Sequence, residues 1–302
     1  MKNPKVLLLE VFLISFIVIA SSCVGGIDLF VNVEEGDSYK YDVTRISSFE
    51  VEMGNHPISI SQETDTTYLV NIKDIDDNGI ITADYLLDSI KGKTETPVAT
   101  FNFDSTTTDE NDPMSKIYSK IIGMGRTIKM ASNGEIIEVS RQSNMIESMI
   151  DSEGVDTEAL NKSLEENLGD EAIKSIFEQT TTVFPDEIIK PGYTWEQNIS
   201  VKNKVEFNMN IKYTLDKIEN GIAYISMDSE YSADASKLIK ESGIDAPGGL
   251  SGTLTGNIEV NTGNAFISTG SLDLNMSGSF ELGDFSIPMS FTSEISYTTT
   301  EQ

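Results

Sequence analysis

Apolar and polar residues alternate along much of this chain, the period of strands that bury one face. The C-terminal stretch is clearest: Leu272, Leu274, Met276, Phe280 and Leu282 alternate with Asp273, Asn275, Ser277, Ser279 and Glu281. Beyond Gly283-Asp284 the pattern resumes with Phe285, Ile287, Met289, Phe291, Ile295 and Tyr297. Two long strands around a Gly-containing turn predict a β-hairpin. Pro288 has no N–H to offer a ladder, so it marks an edge or a bulge in the second strand. Tyr39, Tyr41 and Val43, then Phe49, Val51 and Met53, follow the same period near the other end. Asn-Gly pairs tolerate the positive φ of tight turns and mark three further hairpins. They are Asn78-Gly79 between 68–75 and 80–87, Asn133-Gly134 between 127–130 and 136–139, and Asn220-Gly221 between 211–218 and 222–227.

Helical spacing is confined to a few stretches. Asp112-Pro113 caps a helix with Met114, Ile117, Tyr118, Ile121 and Ile122 on one face, ended by Gly123. Residues 141–184 read as a helical block, with Met145, Ile146, Met149 and Ile150, then Leu160, Leu164 and Leu168, then Ile173, Ile176 and Phe177. A short helix is expected at 235–241. The run Gly248-Gly249-Leu250-Ser251-Gly252 reads as a loop, and no Lys follows it to make a phosphate cradle.

Motifs recur in order along the chain. Gly36-Asp37-Ser38-Tyr39 is answered by Gly192-Tyr193-Thr194-Trp195. Asp74-Ile75 ahead of Asn78-Gly79 is answered by Lys217-Ile218 ahead of Asn220-Gly221. Ile128-Lys129-Met130 ahead of Asn133-Gly134 is answered by Ile258-Glu259-Val260 ahead of Asn261-Thr262-Gly263. An internal duplication accounts for this order. The expected fold is mainly β (α+β), with long curved antiparallel strands in a half-barrel or barrel-like sheet. Two related halves, 36–140 and 185–302, hold the helical block 141–184 between or against them, unless 28–302 is one continuous domain.

The amino terminus reads as an export signal. Lys2 and Lys5 precede Val6 to Ala20, which is apolar but for Glu10, and Ala20-Ser21-Ser22-Cys23 closes the stretch with small residues. Residues 1–22 are then a lipoprotein signal peptide and 23–35 a lipidated cysteine with its tether, Cys23 being the lipidation site. A retained membrane anchor would need about 20 apolar residues, and Glu10 leaves only Val11 to Ala20 uninterrupted. The expected location is the cell envelope, exported and lipid-anchored to a membrane surface.

Composition narrows the chemistry. Among 302 residues, 21 Lys and Arg face 49 Asp and Glu, a net charge of −28, with one Cys, one His and one Trp. Such an inventory builds no Cys/His zinc site and no disulfide, and its sign argues against nucleic acid. Asp74-Ile75-Asp76-Asp77-Asn78-Gly79 resembles the opening half of a calcium loop, but Tyr85 stands where the bidentate Glu belongs, so an acidic hairpin turn is the simpler reading. His56, beside Pro57, has no partner and reads as a surface turn. Trp195 begins a repeat and reads as core packing. The run from Asp104 to Asp112 is a solvated loop. Carboxylates are so numerous that nothing selects an acid–base pair. No catalytic residue, metal or cofactor is expected.

The string from Gly36-Asp37-Ser38-Tyr39 through Ile75-Asp76-Asp77-Asn78-Gly79, Gly123-Met124-Gly125, Met130-Ala131-Ser132-Asn133-Gly134-Glu135-Ile136 and Phe184-Pro185 to Pro191-Gly192-Tyr193-Thr194-Trp195 resembles an uncharacterised family of bacterial lipoproteins. Its members carry a domain of unknown function. The resemblance implies an exported, anchored, β-rich protein and transfers no active site. In plan the chain is also similar to periplasmic lipoprotein carriers, where a curved antiparallel sheet wraps helices around an apolar cavity. The expected function is a non-catalytic envelope lipoprotein with a structural or interaction role, partnered by the membrane through its anchor and by an envelope protein. An alternative is a binding module for a lipid or other amphiphile in an apolar cavity, suggested by Met114, Met145 and Met149 beside the long strands. A third reading is a hydrolase using carboxylates alone.

Overall fold

The computed structural model describes residues 25–53, 56–107, 122–141, 182–202, 206–234 and 247–302, together with Ser115, Ser119, Lys174 and Ser236. The signal segment, Cys23, the helix expected after Asp112 and nearly all of the helical block lie outside these residues. Among the described residues, helix is limited to those four isolated positions. The end of the expected block, 182–184, is not helical, and Phe184 donates its N–H to the Asn133 carbonyl at 2.8 Å.

The described residues form twelve strands: β1 (Ser38–Met53), β2 (His56–Ile75), β3 (Ile81–Glu95), β4 (Thr100–Asp104), β5 (Gly125–Met130), β6 (Ile136–Arg141), β7 (Thr194–Lys202), β8 (Glu206–Glu219), β9 (Ile222–Asp234), β10 (Gly248–Asn261), β11 (Ile267–Leu282) and β12 (Phe285–Glu301). All pair antiparallel in one sheet of order β6-β5-β3-β2-β1-β12-β11-β10-β9-β8-β7, with β4 beside β3. The path ends at β6 and β7, so the sheet is open rather than a closed barrel. Each flank is a meander of sequence neighbours, and the pairing of β1 with β12 joins the two. Pro288 lies just beyond Val51↔Met289, the last β1–β12 pair, so its missing N–H falls where the neighbour on that side ends.

The sheet curls over its apolar face at one end, here the lower end, which carries the turns at 76–80, 131–135, 220–221 and 262–266. Val31 donates to the Ser132 carbonyl and Asn32 to the Asn264 carbonyl. Those acceptors follow β5 and β10, six strand positions apart. In a flat sheet that separation would be about 29 Å. Two adjacent residues span it, so the flanks have folded toward each other. Ile27 and Ile189 pair across the same gap, tying 27–33 to 184–189. Leu29, Phe184 and Ile189 bury into a core built on β7–β12, and Val33 into a second core on β1–β6. These two straps are the filling that closure of a barrel would have displaced.

The recurring motifs carry the same backbone geometry in both flanks. Gly36 (φ 95°) donates to Ile72, which donates back to Asp37; Gly192 (φ 89°) donates to Leu215, which donates back to Tyr193. The β2–β3 and β8–β9 pairings each slip shortly before their Asn-Gly turn, and β5–β6 and β10–β11 each slip at the corresponding place.

The expected glycine loop at 248–252 is strand instead, because glycine here makes room for large neighbours. A Cβ on Gly248 would strike the Phe280 ring, and one on Gly252 would strike the Asn275 carbonyl and the Tyr231 phenol. Gly249, on the other face, has open space. Gly252→Val should therefore cost about 2–3 kcal/mol through overpacking, lowering the melting temperature by about 5–10 °C. Gly249→Ala should leave it unchanged or slightly higher; calorimetry of the two variants checks the pair.

Candidate functional site

The apolar face of β2, β1, β12 and β11 divides into three levels. At the lower level Tyr41 faces Tyr68 on β2 and Thr299 on β12, and Val43 faces Thr66 and Tyr297. Tyr41 packs against both phenols, with ring centroids 6.4 Å from Tyr68 and 5.6 Å from Tyr297. Tyr39 stacks on Phe266 at 4.1 Å, the curl having carried the β10–β11 loop over β1. Where the two cores meet, a cavity of about 110 Å³ remains, lined by Tyr41, Val70, Tyr85, Phe184 and Phe266 among others. An acyl chain does not fit in it.

The middle level is polar. Arg45 lies between Thr64 of β2 and Ile295 of β12. One step higher, Ser47 lies between Gln62 and Ser293, its hydroxyl 3.1 Å from that of Ser293. Across the other flank this row continues through Leu274 and Leu254 to Ser229, whose buried hydroxyl has no hydrogen-bond partner among the described residues.

The upper level is apolar again, and more open. Phe49 lies between Ile60 and Phe291, and Val51 between Ile58 and Met289, with Met276 and Gly278 beyond on β11. Phe49, Val51, Met276, Met289 and Phe291 are half-buried, while Ile58 and Ile60 are each 37% exposed. Leu250 and Phe280 form a small separate cluster at this end. The opposite face of the sheet is polar, and an open groove of about 550 Å³ over β9–β12 is lined from both phases of the strands, by Ser251, Thr253, Asn275 and Ser277 as well as Met276 and Phe291.

The residues singled out by sequence fall apart in space. Asp76 accepts the N–H groups of Asn78 and Ile80 at 2.8 and 2.9 Å, which hold its carboxyl below the usual range and close the acidic segment as a turn. Among the described residues no group of three or more His, Cys, Asp or Glu could hold a metal. Trp195 stacks on Tyr213 at 5.2 Å and donates its indole N–H to the Val183 carbonyl at 2.9 Å, a packing role in the core of β7–β12. His56 opens β2, in register with Met53. Asp104 ends β4, and hydrogen bonds from Thr106 lower its pKa. The feature that sequence reading passed over is Arg45. Its signal is a cation in the apolar phase of Tyr39, Tyr41 and Val43.

An open, curled antiparallel sheet with a plugged lower end and a half-open apolar upper end defines the class. The chain belongs to a family of unknown function (DUF6263), whose profile matches residues 78–267. No curated protein matches it. Among solved structures it is similar to lipovitellin, described for its lipid–protein interactions, at 8% identity and a TM-score of 0.45, over 87% of this chain and 25% of that one. The chain thus spans about a quarter of that protein's length. An outer membrane channel from Pseudomonas putida F1 matches at 6% identity and a TM-score of 0.25, over 89% of this chain and 97% of that one. At these scores neither likeness speaks to function.

Burial raises the phenols of the lower level. Tyr85 and Tyr213 are pushed up to about 12, and Tyr41 and Tyr297 well above their ordinary value. Each stays protonated in the fold while the unfolded chain ionises near pH 10, so the unfolded state binds fewer protons and stability falls as pH rises above about 10. Each such tyrosine costs about 1.4 kcal/mol per pH unit in that window. Urea midpoints should drop steeply between pH 9.5 and 11.5, with tyrosinate absorbance rising together with unfolding.

Proposed function

We propose that this is an exported, lipid-anchored, non-catalytic binding protein whose upper apolar face holds the chain of an amphiphile. The observation that carries this reading is the contrast between the two ends of one continuous apolar face. At the lower end the straps 27–33 and 184–189 fill the curl; at the upper end Ile58, Ile60, Phe49 and Phe291 remain partly open to solvent. Exposed contiguous apolar surface is costly unless something uses it. The ligand surface is thus the open trough rather than the enclosed cavity that the sequence suggested. Asp42, Asp76, Glu95, Asp104 and Glu219 are each shifted toward stronger acidity by their hydrogen bonds, so none of these five is a poised general acid. The two flanks are read as halves of a duplication, since equivalent glycines, turns and slips recur in order.

The anchor reading rests on Cys23 after Ala20-Ser21-Ser22. The described chain begins at the lower end, beside Ile189, so a tether there leaves the open trough facing away from the bilayer. Cys23→Ser should move the protein from the membrane pellet to the soluble fraction and abolish incorporation of labelled palmitate. Retention in the pellet would refute the lipid anchor.

Gently purified protein should carry lipid visible by native mass spectrometry. Ile60→Asp places a charge in the trough at a position exposed enough to keep the fold, and should weaken binding of a fluorescent acyl probe at least about tenfold. An unchanged probe affinity with an unchanged melting temperature would leave an envelope interaction role that needs no ligand.

A further inference from the structure

The trough has a cation at its base. Arg45 lies in the apolar phase of β1, two residues above Val43 and four below Phe49, and its charge acts on the phenol of Tyr68 on the same face. The side chain is exposed, whereas Arg126, another of the chain's three arginines, is 5% exposed. Among the described residues no ion pair engages Arg45. The nearest carboxylates along the ladders, Glu63, Asp65 and Glu294, occupy the alternate phase, opposite Ile46 and Thr44, and so belong to the polar face. Asp65 is engaged there by the Thr44 hydroxyl at 2.6 Å and by Lys91 at 3.5 Å. In a protein of net charge −28, Arg45 thus lies on the apolar face with no carboxylate paired to it among the described residues.

The groups around it suit a hydrogen-bonding anion. Thr64, Gln62, Ser47 and Ser293 lie within one row of Arg45 in the register, and the apolar rows of Phe49, Ile60 and Phe291 and then Val51, Ile58 and Met289 follow directly. From Arg45 to Val51 the strand rises about 20 Å, the length of a long acyl chain laid along it. A guanidinium forms paired, charge-assisted hydrogen bonds with a carboxylate, and more tightly where low-dielectric surface adjoins it.

We propose that the trough selects a single-chain amphiphile with an anionic head, a long-chain carboxylate, read by Arg45 with its chain directed toward Val51 and Ile58. This rests on the amphiphile reading above and adds the head group and the direction of binding.

The test measures dissociation constants of hexadecanoate and hexadecan-1-ol by displacement of an apolar dye from the mature protein. Hexadecanoate should bind about tenfold more tightly at low salt, with the gap narrowing as ionic strength rises. Arg45→Gln should remove the gap while leaving the alcohol's affinity and the melting temperature as they were, and Arg45→Lys should restore part of it. Acetate should not displace the dye. Equal affinities in the unmutated protein, or a preference that survives Arg45→Gln, would overturn the head-group assignment and leave the trough standing. Displacement by acetate would overturn it in favour of a bare anion site. If neither long-chain compound binds, both readings fall.

Discussion

The rest of the molecule depends on the pairing of β1 with β12. It joins the first of the described strands to the last, from Tyr39↔Glu301 to Val51↔Met289. Without it each flank would present a long, exposed edge, the state that β proteins avoid because such edges recruit other strands. With it two meanders become one sheet and two apolar faces become one. The contact is maximally non-local, so its loop entropy must be met before any of its hydrogen bonds help. The two cores flank this seam, with Tyr41 and Tyr297 packing across it.

Curl follows from that continuity. A twisted sheet of this width does not lie flat, and at the lower end its flanks approach until two short straps bridge them. There the buried tyrosines, Phe266 and the straps replace what would otherwise be solvent. At the upper end the strands run on beyond the straps, and their apolar phase continues past the point where the described chain covers it. A packed core and an open trough are therefore two lengths of the same strands. On the polar phase carboxylates are solvated or meet lysines in exposed pairs such as Lys129–Glu138 and Lys217–Glu219. Pairs of that kind contribute little to stability, about 1 kcal/mol or less each, so the charge shapes solubility more than fold.

Much of the strand content was legible because it depends on local signals. Asn78-Gly79, Asn133-Gly134 and Asn220-Gly221 located hairpins that exist, since the left-handed residues of a tight turn are chosen by local sterics. Glycines of positive φ and pairing slips occur at corresponding places in both flanks. The reading failed where neighbours decide. Gly248 to Gly252 looked like a loop, yet Phe280 and Tyr231 from adjacent strands require glycine inside a strand. The sheet read as a half-barrel or barrel-like one, and which of the two it is depends on whether β6 and β7 meet, which no local pattern records. Arg45 escaped notice because a single cation in an apolar phase gains meaning only from what its neighbours lack.

What the sequence by itself determined is the alternation, the turns and the sign of the surface charge, along with an amino terminus whose only cysteine follows small residues. These are set within a few residues by backbone sterics and side-chain polarity. Tertiary structure alone decided that β1 meets β12, that the sheet stays open, and that one length of its apolar face is plugged while the other stays partly open beside Arg45, which has no ion pair among the described residues. Those outcomes come from residues far apart in the chain competing to cover the same surface, and only the folded geometry settles which of them reach it.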